Sequence, residues 1–245
     1  MKVRILRYDP AVNAESSFVS YEVPWGDNMS AIDVLGYVEQ NIDPSLGFRY
    51  ECQTWKCGTC AMEINGRPGL ACKYRPSKDE ELSLEPLSGY PVMKDLAVNF
   101  ERSVASRVNR NGVLLKAESL AGKPLEIDQG KLAGSLKLFT EPSRCIECWS
   151  CMASCPVLGQ GSRIFGGPAF FVGLAEGVFH PFGSSEEVTD LLKKARGKGL
   201  SRCVGCYECE DVCPVEINPA NIIKDVRWQY LKESCRKWIP FMARR

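Results

Sequence analysis

Between Cys52 and Cys72 the chain reads CQTWKCGTCAMEINGRPGLAC, and the spacing within this stretch decides the fold of the first half. Cys52, Cys57 and Cys60 crowd one loop as CxxxxCxxC. Cys72 follows beyond an Asn65-Gly66 step that joins two strand-like triplets, Met62-Glu63-Ile64 and Leu70-Ala71-Cys72. Asn-Gly between apolar runs signals a two-residue hairpin, because both residues tolerate positive φ. A 2Fe–2S core takes four soft thiolates around a compact centre, and the plant-type layout draws three from one tight loop and one from a distant strand. Cys52, Cys57, Cys60 and Cys72 are therefore the expected ligands of a 2Fe–2S cluster. Gly58 would let the loop backbone approach so that amide N–H groups face sulfur. Structural zinc also takes four thiolates, but its sites pair short knuckles, and the step from Cys52 to Cys57 does not form one.

Working outward, Met1–Tyr8 and the alternating Val19, Tyr21 and Val23 read as an opening pair of strands. Ser30 with Asp33 resembles a capping box, and Ile32, Leu35, Val38 and Ile42 recur at helical spacing, so a helix to about Ile42 should lay an apolar stripe on the sheet. Leu82 and Leu84 supply a last strand. After Pro91 the alternation stops, and Val92–Asn109 reads as a linker helix. Beyond it, Ser184 with Glu187 starts a helix that ends near Gly197 or Gly199, and Asn218-Pro219 caps another running towards Trp238. This half is mainly helical.

One motif repeats within the second half. CIECWSCMASCP begins at Cys145, and CVGCYECEDVCP, with the same cysteine and proline spacing, begins at Cys203. In such CxxCxxCxxxCP runs the first three cysteines wrap one cubane, and the fourth ligates the other. By that rule Cys145, Cys148, Cys151 and Cys213 hold one 4Fe–4S cluster, and Cys155, Cys203, Cys206 and Cys209 hold a second. Twelve of the 13 cysteines are then iron ligands. Cys235, without cysteine neighbours in a basic helix, reads as a packing residue.

Composition narrows the rest. Thirty-one basic against 30 acidic residues over 245 give a formal charge of +1, which does not point to nucleic acid. An odd cysteine count without a charged-then-apolar leader reads as a protein of a reducing compartment. The most apolar stretch, Pro168–Phe182, is broken by glycines and Glu176 and is too short to span a bilayer. With one histidine, His180 in an apolar aromatic segment, and no phosphate-binding loop, no catalytic residue is expected, and flavin and substrate should bind elsewhere. From Lys224 to Arg245 seven basic residues stand against two acidic ones around Trp238, Ile239, Phe241 and Met242; such a run is ordinarily a solvated face, and its apolar tip makes docking on a membrane-side partner or an anionic headgroup surface the alternative.

Taken together, the three cysteine motifs and the phrases AMEINGRPGLACK from Ala61, PVMKDLAV from Pro91, CIECWSCMASCP from Cys145 and GGPAFFVGLAE from Gly166 resemble, over nearly the whole chain, the iron–sulfur subunit of succinate dehydrogenases and fumarate reductases. The resemblance implies an α+β architecture: a β-grasp, plant-type ferredoxin domain over residues 1–105, linker helix included, then an all-α, bacterial-ferredoxin-like domain over 106–245. It implies electron relay without bond-making chemistry. Electrons would pass from the FAD of a flavoprotein subunit through the Cys52/Cys57/Cys60/Cys72 cluster, the Cys145 cluster and the Cys155/Cys203 cluster to an acceptor. It places the chain on the cytoplasmic face of a membrane, held there by partner subunits. The alternative is the same electron wire serving another flavin dehydrogenase or reductase.

Three departures from the family pattern carry expectations of their own. The usual member has an apolar residue in place of Cys206 and a 3Fe–4S terminal cluster. With the thiolate present, a second 4Fe–4S cluster is expected, as in archaeal-type and methylmenaquinol-linked relatives, with 3Fe–4S following if Cys206 is unligated. Val157-Leu158-Gly159-Gln160 and Val204 stand where the family's quinone site has tryptophans and a histidine. The expected acceptor is then a different quinone near the terminal cluster or a heterodisulfide-reductase-like anchor subunit. Gln53 and Trp55 replace a basic residue and a glycine, and the cost of left-handed backbone at Trp55 predicts a loop of altered shape.

Overall fold

The computed structural model describes residues 1–12, 15–101, 129–162 and 164–242, and the side chains of all of these but 129–133 and 236–242. They form two compact units. One takes Met1–Arg102 together with Ile146–Ser154 and Asp211–Glu216, and the other takes the rest.

In the first unit, β1 (Lys2–Arg7), β2 (Ser17–Glu22), β3 (Ala61–Ile64), β4 (Arg67–Leu70) and β5 (Leu82–Glu85) make one sheet in the order β2-β1-β5-β3-β4. Only β1 and β5 run parallel. The expected hairpin joins β3 to β4, with Asn65 and Gly66 at φ 51° and 75°. Pro68, which has no N–H for a ladder, lies in the edge strand β4. Helix α1 (Ala31–Asn41) opens on the capping box: the Ser30 N–H donates to Asp33 at 2.8 Å, and the Asp33 N–H donates to Ser30 Oγ at 3.3 Å. Ala31, Val34, Leu35 and Val38 of α1 are fully buried, as are Val3, Ile5, Leu82 and Leu84 of the sheet. Ile42, expected on that stripe, is 46% exposed, because the helix has ended by then and Val34 fills the face instead.

The expectation of a helix from Val92 is corrected. Val92–Lys94 (β6) and Ala97–Val98 (β7) form a two-stranded hairpin, while residues 102–109 of that expectation lie outside the described residues. The cause is Asp95, which turns the chain at φ 45° and is only 1% exposed. Its carboxylate accepts from the Tyr8 N–H at 2.8 Å, the Gly47 N–H at 2.7 Å and Arg7 Nε at 3.0 Å, contacts 48 and more residues away in sequence that no local pattern announces. Arg7 also donates to Tyr21, Asp43 and Ser45. The Ser45 hydroxyl and the Arg7 guanidinium hold the Asp43 carboxyl well below the usual carboxylate range.

The second unit is helical: α2 (Gln129–Ser143), α4 (Pro156–Gly159), α5 (Pro168–Val178), α6 (Ser185–Gly197), a 3-10 turn (Leu200–Arg202) and α8 (Pro219–Met242) belong to it. Its centre is α5, in contact with α2, α6 and α8. Nine of the 11 residues of α5 are buried, Phe170, Phe171 and Leu174 among them. The apolar stretch from Pro168 is thus a core helix, buried on most of its faces by the helices around it and half-buried at Glu176 and Gly177. The Ser184–Glu187 box and the Asn218 cap both form, with Asn218 Oδ1 accepting from the Asn221 N–H at 2.9 Å. His180 packs edge-on against Phe139, and its Nδ1 accepts from the Phe182 N–H. Cys235 is exposed, which corrects its reading as a packing residue. The C-terminal apolar tip continues α8 to Met242, and its side chains lie outside those described.

Candidate metal centres

The loop from Cys52 to Cys60 folds around one sulfur. The N–H groups of Thr54, Lys56 and Cys57 converge on Cys52 Sγ at 3.4, 3.4 and 3.3 Å. Donated first by Thr54 and then by Lys56, these bonds draw the Cys52 thiol down to about 6, which favours the thiolate that iron requires. The turns that aim them come from left-handed backbone at Gln53 (φ 54°), Trp55 (φ 56°) and Gly58 (φ 73°). The loop takes the left-handed angle at Trp55 rather than avoiding it, at a cost of about 1–2 kcal/mol for a non-glycine residue. Cys60 and Cys72 are buried, and burial pushes the Cys60 thiol up to about 12, so iron has to displace that proton.

Gly58 has a second task. A Cβ there would stand 2.9 Å from Cys148 Cα and from the Ile146 carbonyl oxygen, so the Cys52 loop touches the first CxxCxxCxxxCP run backbone to backbone. Lys73 ties the same two regions. Its Nζ donates to the Pro214 carbonyl at 2.8 Å and lies 5.3 Å from the Trp55 ring centroid. Trp149, which follows Cys148, is buried, and its ring stacks 6.5 Å from Phe100, over which Arg49 sits.

The two repeated runs are alike in backbone as well as in spacing. Glu147 and Trp149 flank Cys148 at φ 55° and 66°, and Gly205 and Tyr207 flank Cys206 at φ 70° and 66°. Short helices follow each, α3 (Ser150–Ala153), which lies against β4, and α7 (Glu208–Asp211). After Cys155, held extended as residues before proline are, Pro156 opens α4. Cys155, Cys203, Cys206 and Cys209 line one hollow of about 300 Å3, its mouth included, with Phe165, Pro168 and Val204. Burial pushes Cys209 up to about 12, with Cys203, Cys206 and Cys155 adding to it as neighbours. The fourth cysteine of the first run therefore stands with three of the second. Burial raises the Cys148 thiol, and Cys213 beside it adds a smaller push in the same direction. Cys151 shares the first unit with these two, and Cys145 falls in the second. None of the 13 cysteines, all among the described residues, is in a disulfide.

This donor set, soft thiolates on loops that turn N–H groups towards sulfur at Cys52, suits polynuclear iron better than a single ion. Two residues that carry no motif join the centres. Besides Lys73, Arg227 donates to the carbonyls of Leu200 at 2.9 Å and Cys203 at 2.7 Å from half a helix away in α8. Only the lysine of the phrase ending LACK lay in view in the sequence.

Residues 2–105 match the family described as 2Fe-2S iron-sulfur cluster binding domain, and residues 137–214 match the 4Fe-4S dicluster domain. The chain is 29% identical over 243 residues to the fumarate reductase iron-sulfur subunit of Haemophilus influenzae, covering 95% of this chain and 94% of that one. It is 30% identical over 238 residues to one subunit of the fumarate reductase (CoM/CoB) of Methanothermobacter marburgensis, covering 95% of this chain and 45% of that one. Among solved structures it resembles a chain of the Mycobacterium smegmatis Sdh1 complex in the apo form, at 26% identity and a TM-score of 0.78, over 95% of both chains.

Proposed function

Because the chain belongs to the iron–sulfur subunits of the succinate dehydrogenase and fumarate reductase family, we propose a ligand set for each of its clusters. Cys52, Cys57, Cys60 and Cys72 hold the 2Fe–2S cluster; Cys145, Cys148, Cys151 and Cys213 hold the first 4Fe–4S cluster; Cys155, Cys203, Cys206 and Cys209 hold the second. The protein is the electron-transfer subunit of an oxidoreductase complex and does not carry the catalytic groups itself. When bound, the clusters supply one-electron chemistry at potentials set by ligand type, hydrogen bonds to sulfur, burial and nearby charge.

The chain's own residues serve that chemistry by holding thiolates and shaping their surroundings. The loop N–H groups offset charge on Cys52, Trp149 and Phe100 keep water from the first run, and Arg227 braces Cys203. The observation that carries the reading is the common hollow of Cys155, Cys203, Cys206 and Cys209: a fourth thiol stands where an apolar residue would leave a three-iron core. Anaerobic EPR of the intact complex, with iron and sulfide counted on the same sample, tests it. One 2Fe–2S and two 4Fe–4S signals are expected, and a stable 3Fe–4S signal in undamaged protein would overturn the role of Cys206.

A flavoprotein subunit and a membrane-anchor subunit are the partners that such a complex implies, and no described helix is long and apolar enough to cross a membrane itself. The reading puts the chain on the cytoplasmic face, with FAD nearest the 2Fe–2S cluster. Beyond the second cubane the acceptor is either a quinone in a pocket unlike the family's usual one or a heterodisulfide-reductase-like subunit. The second option is favoured by Val157-Leu158-Gly159-Gln160 and Val204 and by the Methanothermobacter relative. Copurification decides: a transmembrane partner supports the first, a soluble disulfide-reducing one the second.

A further inference from the structure

Lys73 follows Cys72 directly, and its ammonium reaches the carbonyl of Pro214, which follows Cys213 directly. One cation is thus bonded covalently beside the last ligand of the 2Fe–2S set and by hydrogen bond beside a ligand of the first 4Fe–4S set. The side chain is half-buried under the Trp55 ring of the Cys52 loop, so the charge is less screened than that of a surface lysine. The two regions already meet at Gly58, where the backbones come so close that a Cβ would stand 2.9 Å from Cys148 Cα. Lys73 is not needed as a spacer.

Resting on the ligand sets above, we propose that Lys73 is a positioning residue whose charge is shared by the 2Fe–2S and first 4Fe–4S centres and raises the potential of both together. Reduction adds one negative charge to a cluster, and a cation close to two clusters stabilises the reduced form of each. The pair stays matched because one group acts on both. Arg75 provides the contrast. It donates to the Cys72 carbonyl at 2.7 Å and to the Tyr74 carbonyl at 3.3 Å, and its side chain is exposed, so it serves the 2Fe–2S side alone.

EPR-monitored redox titration of the intact complex tests the proposal with Lys73→Gln, which keeps a donor but loses the charge, Lys73→Arg, which keeps it, and Arg75→Gln. In Lys73→Gln the oxidised-to-reduced equilibrium of the 2Fe–2S and first 4Fe–4S clusters should each shift about tenfold towards oxidised, ~59 mV for one electron. The second 4Fe–4S cluster should stay in place. Lys73→Arg should hold both potentials within about twofold, and Arg75→Gln should leave the first 4Fe–4S cluster unmoved. A Lys73→Gln protein in which either of the first two potentials is unchanged, or all three move alike, overturns the proposal. If Lys73→Gln fails to retain a cluster, Trp55→Leu decides, since it keeps the ammonium: wild-type potentials support the shared charge, and a matching fall at both clusters overturns it. Wild-type protein lacking the three clusters would defeat the ligand sets first, and the iron and sulfide count separates that failure from the others.

Discussion

The two CxxCxxCxxxCP runs share spacing, left-handed positions and a following helix, yet one is enclosed and the other is at the surface. Trp149 beside Cys148 is 8% exposed, and its counterpart Tyr207 beside Cys206 is 41% exposed, with Val204 at 70% and the Cys206 thiol open to solvent. Identical ligand geometry is thus set in different surroundings. Burial and solvent access tune a cluster along with its ligands, so on the proposed ligand sets the sequence repeat supplies two holders whose environments differ.

The sharpest way to break that comparison is to remove the middle cysteine of each run. Cys148→Ser should cost the whole first cubane and destabilise the segment packed on β4, because the site is buried. Cys206→Ser should cost only one iron and yield a 3Fe–4S signal in the oxidised protein. Equal losses, by iron count and EPR, would erase the distinction. Next in size, Trp149→Ala should lower stability by about 3–5 kcal/mol as a buried aromatic. Tyr207→Ala, which loses mainly a 3.3 Å bond to Asn221, should cost about 1 kcal/mol or less in the same denaturant titration.

The glycines make a finer contrast. Gly58→Ala combines a left-handed angle with a 2.9 Å contact and should cost about 2–4 kcal/mol, whereas Gly205→Ala, with open space around it, should cost about 1–2 kcal/mol for the angle alone. Thermal unfolding of the loaded proteins reads both, and equal shifts would mean that the Gly58 contact can yield.

The smallest effect depends on pH. The Asp43 carboxyl is depressed in the folded state, so its contribution is complete above the ordinary carboxylate range near ~4 and is lost as pH falls through that range and below. Asp225, in the second unit, is raised by burial and then by Glu141, so its ionisation opposes folding at neutral pH and acid relieves it. Urea titration should therefore find Asp43→Asn less stable than wild type by about 1–2 kcal/mol at neutral pH, and the gap should narrow only as pH falls below ~4. A gap that widens with acid would reverse the assignment. The corresponding Asp225→Asn variant should be neutral or slightly stabilising.

What the sequence made legible was local. Asn65-Gly66 announces its hairpin through the angles those residues tolerate, and Ser30 with Asp33 and Ser184 with Glu187 announce helix starts through bonds closed within three residues. Cysteine spacing carries the centres because tight loops around small inorganic cores leave few alternatives. The hairpin at Val92–Val98 was read as helix because its cause, the burial of Asp95 against Tyr8, Gly47 and Arg7, lies far away along the chain. Helix α5 offers no broad polar face to announce it, since nine of its 11 residues are buried. A boundary drawn at residue 105 also has no means of expressing that Ile146–Ser154 and Asp211–Glu216 return to the first unit.

That return bears on how the polypeptide matures. The bond from Lys73 to Pro214 closes a separation of 141 residues, and the first compact unit includes residues up to Glu216. On the ribosome, then, the five-stranded sheet can form early but must wait for residues 146–154 and 211–216 before its last pieces arrive. A nascent chain arrested short of residue 211 would present an unfinished surface around Gly58 and Lys73, open to chaperones and proteases, and synthesis through residue 216 becomes a condition for completing even the first-made unit.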